Sequence, residues 1–138
     1  MNDFRRNIYT YKPGDNSSRT ISINNDGHFM VGSQTNFTVL KEPHDYVALL
    51  TILETDRGQF EKELREKIEH DKMLTLVREL YKCGLSVSPY WTELVINWMD
   101  IKDINEELKP MLKDTTQDIR VNQKLRHRLS LLLTRNYQ

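Results

Sequence analysis

The chain has 138 residues, 38% apolar and 29% charged, and its 20 basic and 20 acidic side chains give a formal net charge of zero. That length suits one domain with a real core, and the charge balance builds in no general attraction to nucleic acid or membrane. A single cysteine excludes an internal disulfide framework and a multi-cysteine zinc site.

The opening MNDFRRNIYTYK lacks the apolar segment of a secretory leader. No run of residues approaches the length of a membrane span. The expectation is a cytoplasmic or nuclear protein with no membrane association.

Residues 1–42 differ in kind from the rest, with Pro13, Gly14, Gly27 and Gly32 set among many Asn and Ser. Residues 10–20, TYKPGDNSSRT, read as a loop or disordered linker. Residues 21–31 then alternate apolar and polar around Asn25-Asp26-Gly27, the pattern of a hairpin. Phe37, Val39 and Leu40 can supply a third short strand. Two or three strands alone are marginal in water, so they must dock on the helices or on a partner. A disordered arm is the other reading of this composition.

Pro43 closes the arm. Asp45 can cap a helix whose Tyr46, Leu49, Leu50 and Leu53 share a face, ended by Asp56-Arg57-Gly58. Residues 59–83 hold neither Gly nor Pro. Phe60, Leu64 and Ile68 form a narrow stripe there, and from Met73 the stripe widens through Leu74, Leu76, Val77, Leu80 and Tyr81. The change at His70-Asp71 predicts one bent helix or two helices with a tight joint, with Gly84 as the C′ stop. Ser88-Pro89 starts the next helix, whose Trp91, Leu94, Val95, Trp98 and Met99 make a bulky stripe. Asp103 with Glu106 predicts a capping box, for a helix that Pro110 kinks or shortens. Thr115 with Asp118 offers a cap for the last helix, which sets Val121, Leu125, Leu129 and Leu132 on one face. Its other face carries Arg120, Lys124, Arg126, His127, Arg128 and Arg135. The predicted fold is mainly α: a bundle or short helical-repeat stack of about five helices over residues 43–138, preceded by an arm, 1–42, able to form a small β-hairpin.

No catalytic pattern stands out. Cys83 falls at the end of a predicted helix, where the dipole disfavours a thiolate. His28, His44, His70 and His127 lack metal-ligand spacing, and Glu66 with His70 supplies two ligands, too few for a site. No glycine-rich phosphate loop follows a strand. The expectation is a non-enzymatic protein with no cofactor and no metal.

Two families share short stretches with the chain. His44-Asp45, Asp71, Leu85-Ser86-Val87, Pro110-Met111-Leu112-Lys113 and the leucine-rich last helix, together spanning about residues 44–133, resemble the helical C-terminal domain of the katanin regulatory subunit. That resemblance implies a helical module that binds the catalytic subunit's N-terminal domain and contributes to microtubule association. Leu80, Leu85-Ser86-Val87-Ser88 and residues 108–133 are similar to the N-terminal domain of the transcription elongation factor TFIIS, although that family's Ile-Gly step is replaced here by Leu108-Lys109-Pro110-Met111-Leu112. Such domains hold short disordered motifs of partner proteins. Both imply a compact helical bundle used for docking.

The functional expectation is therefore a protein–protein interaction module, an adaptor or regulatory subunit. Tyr90, Trp91 and Trp98 would form an apolar patch, with Arg120, Lys124, Arg126 and Arg128 as a cationic rim for acidic segments. The competing structural reading places both tryptophans in the core. Two other functions remain open: a nucleic-acid-binding accessory protein that uses the basic last helix, and a small inhibitor or immunity protein that blocks an enzyme.

Overall fold

The computed structural model describes residues 5–13, 18–33 and 36–136. It corrects the mainly helical expectation, because the fold is mixed, with an antiparallel sheet followed by helices. Strands β1 (Arg5–Tyr11), β2 (Arg19–Asn24), β3 (Phe29–Ser33) and β4 (Asn36–Val39) form one four-stranded meander in the order β1-β2-β3-β4. The Asn25-Asp26-Gly27 turn joins β2 to β3, with Gly27 at φ 83 and the Asn24 side chain accepting from the amides of Asp26 and His28. This hairpin is the centre of a sheet and not a small isolated arm.

The sheet turns one apolar face to the helices, with Ile21 opposite Val31 and Ile23 opposite Phe29. The β1–β2 register shifts between Asn7 and Tyr9, and this bulge lets the adjacent Ile8 and Tyr9 both be buried. Tyr9 meets Phe60 edge to face at 5.5 Å between ring centres. Sheet and helices thus share one hydrophobic cluster, which holds Ile8, Ile21 and Val31 together with Leu49, Leu76 and Leu112.

Residues Pro43–Glu54 form a 3-10 helix and not an α-helix. At three residues per turn Tyr46, Leu49 and Ile52 lie in one line, beside Leu50 and Leu53, and all five are buried. Asp45 is not its N-cap; it sits in the first turn and accepts from the amides of Lys41 and Glu42.

Helix α1 (Arg57–Arg65) is capped by Asp56, which accepts from Gln59 N at 3.1 Å. Helix α2 (His70–Val87) follows, so the joint expected at His70-Asp71 separates two helices, with Glu69 at the N-cap of the second. Gly84 does not stop α2. It lies buried inside it, where a Cβ would come within 2.6 Å of Val95 Cγ2 on α3 (Pro89–Trp98), so the glycine permits close helix packing. Ser88 caps α3 with Pro89 in its first turn.

The capping box predicted at Asp103 and Glu106 is different in fact: Asp103 pairs with Asp100 around a short 3-10 turn, Ile101–Asp103. Helix α4 (Lys109–Thr116) begins later, with Pro110 in its first turn, where the missing amide costs nothing. Helix α5 (Gln123–Asn136) starts after Asn122, whose side chain accepts from Lys124 N, and not at Thr115.

Candidate docking groove

The C-terminal end of α3 leaves its last carbonyls without helical partners, and α5 supplies donors for them. Arg128 donates from Nε to Ile96 O at 3.3 Å and from Nη2 to Met99 O at 3.1 Å. A cation at this end of a helix also matches the dipole. The guanidinium is thereby fixed at the edge of a groove of about 460 Å³ between α5 and residues 97–101. Trp98, Met99, Ile101 and Leu132 supply its apolar lining, and Arg57, Arg128, Arg135, Asn97 and Asp100 its polar lining. Arg128, Leu132 and Arg135 stand at i, i+4 and i+7, so they run along one edge of α5.

A buried network holds the floor. Arg57 grips Asp103 with two hydrogen bonds, Nη1 to Oδ2 at 2.6 Å and Nη2 to Oδ1 at 2.9 Å. Its Nη1 also donates to Trp98 O and Tyr81 OH, both at 3.0 Å, and Glu61 accepts from its Nε at 3.4 Å. Asp103 is fully buried and takes two further bonds, from Tyr81 OH at 2.7 Å and Asp100 N at 2.9 Å. Burial pulls the Arg57 guanidinium down, but its bond to Asp103 and the charges of Asp103 and Glu61 outweigh that, so it titrates above its ordinary range. Burial first, and then the Asp103 charge, push the Tyr81 phenol up, which keeps it a donor.

Trp98 is 6% exposed, stands against Phe60 at 5.0 Å between ring centres and donates from Nε1 to Thr55 O at 2.9 Å. It therefore belongs to the core and reaches the groove as part of its floor. With Arg57 spent on Asp103, the cations left for a visitor are Arg128 and Arg135, which carry no ion pair among the described residues. Asp100 lies 4.0 Å from Lys102.

The structure divides the seven residues singled out in the sequence. Trp98 and Arg128 meet in the groove. Tyr90 and Trp91 lie at the opposite end of α3: Tyr90 is 56% exposed and donates to Glu54, and Trp91, half-buried, packs edge-on against it at 4.8 Å. Arg120, Lys124 and Arg126 gather at the start of α5. Arg120 pairs with Asp118 at 2.9 Å, Arg126 donates to Val121 O at 3.1 Å, and Lys124 is exposed. Arg57, Asn97 and Ile101 were not singled out, and nothing near them in sequence distinguishes them.

A second cleft, of about 590 Å³, runs between the sheet and the α1–α2 joint. Two of its cations are spent on carbonyls that tie these parts together, Arg6 on Lys67 O and Lys72 on Gly27 O. Cys83 is buried, and burial pushes its thiol up. Among the described residues no three His, Cys, Asp or Glu side chains lie close enough to hold a metal ion, and no helix is long and apolar enough to cross a membrane. Compared with protein-family models, with curated proteins and with solved structures, the chain matches none.

Proposed function

We propose that this protein is a non-enzymatic interaction module, an adaptor or regulatory subunit, that docks an acidic segment of a partner protein in the α3–α5 groove. The observation that carries this reading is the pairing of an apolar floor with two arginines that carry no ion pair among the described residues, one of them fixed by two carbonyls. Apolar area supplies binding free energy, and the cations select the partner's charge and speed encounter. Arg128 is held by two carbonyls, so little ordering is needed when a carboxylate arrives.

The test compares capture of partners from the protein's own cells by the tagged wild type and by Arg135→Glu. Arg135 is exposed and makes no ion pair among the described residues, so the variant keeps the fold. The expected result is an acidic partner retained by the wild type and lost by the variant. Equal recovery of the same proteins by both would refute the groove. Nucleic acid that binds at low salt and washes off steeply would favour the accessory-protein alternative.

A further inference from the structure

The spacing of the two arginines restricts what can lie in the groove. Seven residues of α-helix rise about 10.5 Å and complete nearly two turns, so the backbone positions of Arg128 and Arg135 stand that far apart along the edge of α5 that lines the groove. An extended segment presents alternate side chains to one face, at about 6.8 Å or 13.6 Å for two or four residues. Neither spacing matches. A second α-helix with carboxylates at i and i+7 reproduces it, and its i+3 and i+4 positions then fall opposite Leu132 and the Trp98 floor.

We infer that the occupant is an amphipathic helix with acidic residues at i and i+7 and apolar residues between them at i+3 and i+4. This rests on the docking reading above and names its partner class. Arg128 fixes one end of the register, because its guanidinium is tied to Ile96 O and Met99 O, and Arg135 reads the other. A disordered acidic tail would satisfy the charges but leave uncovered the apolar surface that Leu132 and Ile101, both packed on the core, still show in the groove.

The test uses two fluorescently labelled, alanine-rich helical peptides of equal composition, titrated into the full-length protein at low salt. One carries Glu at i and i+7 with Leu at i+3 and i+4. In the other the second Glu is moved to i+9, on the opposite face of the helix. The expected result is binding at least about tenfold tighter for the first, with that preference abolished by Arg135→Glu. Equal binding of both peptides, weakened equally by Arg135→Glu, would overturn the helical register while leaving the groove as a docking site. Binding of neither peptide would also overturn the inference, and the docking reading would then be judged on the capture comparison, which does not involve these peptides.

Discussion

Asp103→Ala removes a carboxylate that is fully buried and that four donor groups share: the two guanidinium nitrogens of Arg57, the Tyr81 hydroxyl and the Asp100 amide. The loss exceeds that of one hydrogen bond, because Arg57 stays behind with its side chain 15% exposed. Breaking one half of a buried pair costs about 3–5 kcal/mol. Glu61, 3.4 Å from Arg57 Nε, still answers part of the charge, so the lower end of that range is expected. Against a total stability of about 5–15 kcal/mol this is a large fraction. Urea denaturation of wild type and variant, with the slope unchanged and the midpoint lowered, measures it directly. A companion variant with both Arg57→Met and Asp103→Leu should recover the part of the loss that comes from the unpaired guanidinium, while the Tyr81 hydroxyl and the Asp100 amide still lose these partners. A loss below about 1 kcal/mol for Asp103→Ala would refute the reasoning, for it would mean that the network is exposed charge and not a buried clamp.

Gly84→Ala should cost about 1–3 kcal/mol by overpacking, because its methyl meets Val95 Cγ2 at 2.6 Å, and thermal unfolding reads this. Arg128→Ala should cost about 1 kcal/mol through loss of the donors at the end of α3, visible in the same denaturant series. Burial pushes the Tyr46 phenol up to about 12 from 10.0. The unfolded chain therefore releases this proton first, and stability is complete below pH 10 and falls as pH rises through about 12. Tyr46→Phe should remove this part of the alkaline loss in pH-dependent melts.

Local signals in the sequence marked several features truly. Ser88-Pro89 starts a helix because the cap and the proline act within one turn, and Asn25-Asp26-Gly27 forms a turn because Gly27 takes its positive φ without strain. Asp45 and Asp103 misled for a shared reason: each looks like the start of a helix but closes a 3-10 turn from its third position. Gly84 looks like a stop, because the neighbour that requires it, Val95, sits on another helix. Strand β1 is hidden among polar residues, since its bulge breaks the alternation that would have revealed Ile8 and Tyr9. The groove was half legible. Trp98 and Arg128 stand out by size and by charge, but Arg57 matters through Asp103, 46 residues further along the chain, and no local pattern encodes that meeting.

The same long-range clamp bears on how the molecule opens. Arg57 opens α1, Tyr81 lies in α2, Trp98 ends α3 and Asp103 closes the turn after it, so the floor of the groove exists only while all four segments are in place. Asp100 lies on the surface, yet its amide is held by the buried Asp103 carboxylate. Its hydrogen should therefore exchange with solvent as slowly as those of the central helix α2, through global unfolding and not local fraying. A surface amide in the slowest exchange class would mark the groove as among the last parts of the molecule to come apart.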